Sequence, residues 1–133
     1  MHTTNYFDTL ITPSPDTKAT GAVAPSKPGT VASMLYDALL AAPYGLTSDE
    51  VIFGVHADRK GIDESDRGPA RMAFFSSGQA CLRSSALVKT LGWALHHDSE
   101  GRVALVDPAS QTYRNLMERD DITKRAGLRT KRN

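Results

Sequence analysis

Gly92-Trp93-Ala94-Leu95-His96-His97-Asp98-Ser99-Glu100-Gly101-Arg102-Val103-Ala104-Leu105-Val106 is the stretch on which the fold turns. Two runs rich in apolar and β-branched residues flank Asp98-Ser99-Glu100-Gly101. A type I turn with Gly101 in the left-handed region closes a three-residue hairpin loop, residues 99–101. That register sets Asp98 opposite Arg102 as an exposed ion pair, His97 opposite Val103 and Leu95 opposite Leu105. Side chains alternate along a strand, so Trp93, Leu95, His97, Val103 and Leu105 share one face, and Ala94, His96, Ala104 and Val106 the other. The two imidazoles therefore point in opposite directions. His97 is expected to fill the core with its ring hydrogen-bonded, and His96 to be partly exposed. Pro108 ends the second strand, and Ser110 caps a last helix with Tyr113, Leu116 and Met117 as its apolar stripe.

Upstream, Thr30 is a good N-cap, and Val31, Leu35, Ala38, Leu39 and Ala42 recur at helical spacing until Pro43 and Gly45. Val51-Ile52-Phe53-Gly54-Val55 has the composition of a buried strand. Thr47-Ser48-Asp49-Glu50, however, has capping-box spacing with acids at the positive end of a helix dipole, and Arg59, Lys60 and Gly61 suit a C-terminus, so residues 48–60 are predicted helical. The two helices form an αα-hairpin. Residues 61–71, with Gly68-Pro69, are predicted as a loop, Met72-Ala73-Phe74-Phe75 as a short strand, and 76–80 as a turn. Ser84 or Ser85 caps a brief helix carrying Leu87, Val88 and Leu91, closed by Gly92.

At the N-terminus, residues 6–12 (Tyr6-Phe7-Asp8-Thr9-Leu10-Ile11-Thr12) read as a strand. Pro13 and Pro15 cannot donate to a ladder, which predicts an edge position. Residues 13–29 carry hardly a large apolar side chain and are predicted to be a flexible linker. The expected organisation is thus an edge strand (1–12), a linker (13–29), a single α+β domain (30–119) and a basic tail (120–133). Helices pack on one side of a small, mainly antiparallel sheet with a C-terminal β-hairpin. A winged-helix-like layout is the alternative, with residues 92–106 as the wing.

The chain has 133 residues, 40% of them apolar and 23% charged, and a net charge of +1. This is too apolar for a disordered chain, and no apolar run approaches the roughly 20 residues of a membrane span. One cysteine excludes an intramolecular disulfide framework, and no secretory signal is visible, so a cytoplasmic protein without a membrane partner is expected. The charge is uneven. Residues 30–80 hold seven acids and four bases, whereas residues 81–133 hold six acids and ten bases. Lys124, Arg125, Arg129, Lys131 and Arg132 crowd the end, a pattern that attracts phosphate-bearing partners or simply keeps a frayed terminus solvated.

Three stretches together resemble a small bacterial family of unassigned function: Met1-His2-Thr3-Thr4-Asn5-Tyr6-Phe7, Pro43-Tyr44 with Thr47-Ser48-Asp49-Glu50-Val51, and Phe74-Phe75-Ser76-Ser77-Gly78-Gln79-Ala80-Cys81-Leu82-Arg83-Ser84. Gly92-Trp93, His96, Asp98 and Glu100-Gly101 continue the resemblance. Ala80 and Ala86 stand where the family pattern has prolines, and Ala94 where it has glycine. The resemblance implies one intact domain and brings no activity with it.

Candidate chemistry is sparse. His96 and His97 on opposite strand faces cannot ligate one metal together, and no standard ligand spacing links them to His56, so neither a metal nor a cofactor is expected. Cys81 could act as a nucleophile with His96 or His97 as base, although nothing in the spacing requires them to meet. Ser76, Ser77, Gly78, Gln79, Arg83 and Ser84 combine hydroxyls, a glycine, an arginine and a helix start, the ingredients of an anion cradle. A winged-helix DNA binder would need a basic recognition helix, and residues 85–91 offer only Lys89. The leading expectation is a small non-enzymatic binding or interaction module for an anionic small molecule or nucleic acid. The alternative is a small enzyme using Cys81 or a histidine.

Overall fold

The computed structural model describes residues 1–129; residues 130–133, with Lys131 and Arg132 of the expected basic tail, lie outside the described residues. The hairpin forms in the expected register. Strands β2 (Ala94–His97) and β3 (Val103–Val106) pair antiparallel, with Ala94 opposite Val106, Leu95 opposite Leu105 and His97 opposite Val103. Gly101 has φ +78°, and a Cβ there would stand 3.0 Å from the Phe7 ring, so both the turn and the packing above it require glycine. The Asp98–Arg102 ion pair is not made. The Asp98 carboxylate instead accepts the amides of Glu100 and Arg102, at 2.9 and 2.8 Å, and the Arg102 side chain turns to Glu100 and to the Gly45 carbonyl.

The edge position expected for the N-terminal strand is corrected. Strand β1 (Thr9–Thr12) lies inside a four-stranded sheet of order β3-β2-β1-β4, antiparallel to β2 and parallel to β4 (Thr123–Ala126). Pro13 and Pro15 follow the last strand residue, so they end the strand without removing a ladder donor. Part of the expected basic tail is therefore a strand. Thr123 and Gly127 donate to the carbonyls of Asp8 and Thr12, both at 2.8 Å. Two of the three pairings are antiparallel, and the fold is α+β.

Helices cover both faces of the sheet rather than one. Ile11, Leu95 and Val103 pack on α1 (Val31–Ala41), α2 (Ser48–Lys60) and α4 (Ala86–Lys89) through Leu35, Leu39, Val51, Val55, Leu87 and Val88. Leu10, Ala94 and Val106, on the opposite face, pack on Ile122 and on Leu116 of α5 (Gln111–Glu118). Of the stripe expected on α5, Leu116 is buried, Tyr113 half-buried and Met117 exposed. With the hairpin inside a sheet covered on both sides, the winged-helix layout does not apply.

Local caps set the helix ends. Thr30 accepts from the Ser33 amide at 3.1 Å, and Thr47 and Glu50 close a complete capping box on α2. Gly61 ends α2 in the left-handed region, so residues 51–55 are helical. The predicted loop and strand over 61–75 are replaced by a 3₁₀ turn (Glu64–Asp66) and helix α3 (Arg67–Phe74). Pro69 lies in the first turn of α3, where its missing N–H costs nothing, and Phe75 packs with Phe53 and Ala57 of α2. Residues 13–29 form neither helix nor strand, but the segment is fastened. Ser14 donates to the Val88 carbonyl and Val23 to that of Leu91, and the Trp93 indole donates to the Val23 carbonyl, each at 2.9 Å. At Gly92 (φ +76°) a Cβ would sit 2.6 Å from the Gly21 oxygen, so the segment passes directly over the α4 terminus. Among the described residues no helix is long and apolar enough to cross a membrane.

A strand buried on both faces predicts a paired outcome. Leu10→Ala and Ile11→Ala should each cost about 2–5 kcal/mol in urea unfolding, because both side chains are fully buried on opposite faces. A near-neutral result at either position would contradict the two-sided core.

Candidate functional site

The α1–α2 hairpin and residues 80–86 enclose a cleft of about 310 Å³. Val31, Ala32 and Leu35 of α1 and Ile52 and Val55 of α2 form its apolar walls, and Cys81, Leu82, Ser84, Ser85 and Ala86 complete it. Cys81 is half-buried, and its Sγ lies 3.5 Å from the Tyr6 hydroxyl. Burial and the Cys81 contact push the Tyr6 phenol above its usual range, against an opposing effect of Arg83. At neutral pH Tyr6 is therefore a protonated partner of the thiol, not a base for it. The Arg125 guanidinium stands 6.0 Å over the Tyr6 ring, and His97 meets the ring edge to face at 5.5 Å.

Of the six residues expected to cradle an anion, only Ser84 lines this cleft. Arg83 donates through Nε to the Ala126 carbonyl at 2.9 Å, joining the turn before α4 to the end of β4. Ser76 donates to the Ala73 carbonyl and the Gln79 amide to that of Phe74, so both hold the end of α3. Gly78 faces the His2 imidazole, and Ser77 is exposed away from the cleft. Ser84 and Ser85 donate to the carbonyls of Cys81 and Leu82, and neither caps α4 by its side chain. Helix α4 has four residues, too few to present a useful dipole to an anion. These six side chains do not converge on the Cys81 cleft.

The histidines separate as the hairpin dictates, with two corrections. His96 is buried, not partly exposed, because Tyr44 folds over it and its hydroxyl meets Nδ1 at 2.8 Å. Burial and then Arg119 lower the His96 pKa, while burial and then Asp98 raise that of Tyr44, leaving a neutral pair at pH 7. His97 is fully buried, and the hydrogen bond expected for its ring is not made at bonding geometry: among the described residues neither nitrogen has such a partner. The backbone of Leu95 and Thr9 lies near enough to favour a proton, but burial, followed by His96, outweighs it and lowers the His97 pKa to about 4. His56 stacks on Phe74 at 4.5 Å and lines a neighbouring hollow rather than the Cys81 cleft itself. Cys81 thus meets Tyr6, and none of the histidines reaches it. Among the described residues no three His, Cys, Asp or Glu side chains are placed to hold a metal ion.

Two features were missed from sequence. Asp49 is a docking post: its carboxylate accepts the Thr4 amide and hydroxyl, both at 2.6 Å, and the Thr3 hydroxyl at 2.7 Å. Its own amide donates to Asn5 Oδ1 at 2.9 Å. The capping-box spacing marked Asp49 as a helix-start acid, but nothing marked its partners. Asp8 (φ 47°) and Tyr44 (φ 56°) hold left-handed conformations that non-glycine residues rarely adopt, and both lie beside His96. No local pattern signals either.

The three stretches that carry the family resemblance therefore meet in space. Thr3, Thr4 and Asn5 dock on the start of α2, and Tyr6 touches Cys81. The model of a family of unknown function, DUF6157, matches residues 1–133, and the chain belongs to that family. No curated protein and no solved structure matches the chain.

The depressed His97 pKa has a definite sign in stability. The unfolded ring binds its proton near pH 6.5, and the native ring not until about 4. Between these values the unfolded chain holds more protons, so stability falls as pH drops through the window, by up to about 3 kcal/mol. Urea midpoints compared at about pH 7 and about pH 5 should show this loss, and His97→Leu should reduce it, leaving the share that comes from His96. Equal losses in wild type and His97→Leu would show that this imidazole is not the source.

Proposed function

We propose that this member of the family is a non-enzymatic binding module that takes a small, largely apolar ligand in the Cys81 cleft. The observation that carries the proposal is the cleft itself: about 310 Å³, walled by Val31, Leu35, Ile52 and Val55, with a thiol and two hydroxyls at one side. Concavity with apolar walls favours a small molecule over nucleic acid, which needs cations spread along a surface to meet phosphates. The environment of Cys81 supports binding over catalysis. Its side-chain partner is a phenol kept protonated, which cannot take the thiol's proton as an adjacent general base would. The same proposal places the protein in the cytoplasm, where a lone free thiol stays reduced.

The neutral fluorophore N-phenyl-1-naphthylamine provides the test. It should brighten on titration into the wild-type protein, and Ala86→Trp or Ala32→Trp, each filling the cleft, should weaken its binding at least about tenfold, or roughly 1.4 kcal/mol. Circular dichroism checks that both variants fold. Unaltered affinity in folded variants would remove the cleft as the site, and rapid, selective turnover of acyl esters lost in Cys81→Ser would favour the enzyme instead.

A further inference from the structure

We propose that the ligand of this cleft is an amphipathic anion, its apolar body between α1 and α2 and its charged head held by Arg59 and Lys60. This rests on the cleft as the binding site and adds the chemical class of what enters it. A second hollow, of about 200 Å³, adjoins the first and shares with it Val31, Ile52 and Val55. Beyond those shared side chains its lining changes character, to His56, Arg59, Lys60 and the Phe74 ring. A body seated in the cleft and extending across Val31 therefore passes from aliphatic walls to an aromatic and cationic end.

The charges around α2 are sorted by flank. The hollow on the other flank, lined by Asp37, Glu50 and Asp58, shares only Val55 with the cleft and would repel an anion. Asp58 there is engaged by Arg67 at 2.9 Å. Among the described residues neither Arg59 nor Lys60 pairs with a carboxylate. Among the described residues Arg59 spends only Nη1, on the Gly29 carbonyl at 2.7 Å, which holds its guanidinium near the hollow and leaves its other N–H groups to donate. Both cations also complement the C-terminal end of the α2 dipole, but that role does not require a concavity between them and Phe74. A carboxylate, sulfonate or phosphate head with a compact apolar tail matches both ends. One charged group in a partly exposed site contributes modestly, so the head should set preference more than total affinity.

A matched pair of probes tests this: 8-anilinonaphthalene-1-sulfonate and N-phenyl-1-naphthylamine, which differ by the sulfonate. The sulfonate should bind about fivefold or more tightly than the neutral probe at low salt, and the preference should shrink as salt is raised. Arg59→Gln with Lys60→Gln should abolish the preference while leaving the neutral probe within about twofold. Because Arg59 also fastens Gly29, Lys60→Gln alone is the second variant, expected to remove a two- to threefold share of the preference. Equal wild-type affinity for the two probes, or a preference unchanged in both variants, overturns the head-group assignment while the cleft reading stands. Binding of neither probe to the wild type overturns the cleft reading itself.

Discussion

Everything in this protein is built around the lateral pairing of β1. Its four residues are bonded on one side to the hairpin and on the other to β4, so a strand from the start of the chain is the seam of the sheet. Alternation then sends Leu10 into one core and Ile11 into the other, each fully buried. So short a strand is located by what holds its ends. Upstream, Thr3, Thr4 and Asn5 are fixed to Asp49, and downstream Ser14 is tied to α4. A mostly buried carboxylate without those donors would carry a large desolvation cost, so Asp49 and the N-terminal segment order one another.

The central strand also explains the unusual environments of the two histidines. His97, facing Thr9 across the β1–β2 ladder, is fully buried and remains neutral, with no hydrogen bond of full geometry to its ring among the described residues. His96 emerges on the other face, where Tyr44 covers it from a strained backbone position. Asp8, also strained, links the hairpin end to β4 by donating to the Asp98 carbonyl and accepting from Thr123. Strain of this kind persists only where the surroundings over-determine the geometry, and here two sheet contacts do so. Tyr6 then carries the same ordered segment from the His97 side to the Cys81 thiol, joining the core to the wall of the proposed ligand cleft.

The residues that bear on chemistry were partly visible as types but not as a place. Cys81 was a recognisable candidate and does line a cleft, yet its neighbour is Tyr6, 75 positions away in sequence. Ser76, Gln79, Ser84 and Arg83 had the chemistry of an anion cradle, and each instead donates at least one hydrogen bond to a nearby or distant carbonyl, Arg83 through Nε. Polar side chains at turns satisfy backbone groups first, and residue type alone does not reveal which carbonyl will be in reach. Arg59 and Lys60 looked like dipole-complementing residues, and only the packing of Phe74 and Val31 beside them creates a hollow there.

The sequence by itself determined the elements whose causes lie within a few residues. The Thr47–Glu50 capping box, the Thr30 and Ser110 caps, the left-handed Gly61 and Gly101, and the hairpin register with its opposed imidazoles all follow from local hydrogen bonds and side-chain periodicity. Tertiary structure alone decided that β1 is internal, that residues 123–126 form a strand, that residues 67–74 are helical and that residues 13–29 are fastened. It also decided where a cleft opens. Those outcomes depend on partners such as Thr4 and Asp49, 45 residues apart, and on burial shared among elements. Turn and cap rules act through short covalent paths, whereas lateral pairing and cavity shape arise from contacts that no local pattern encodes.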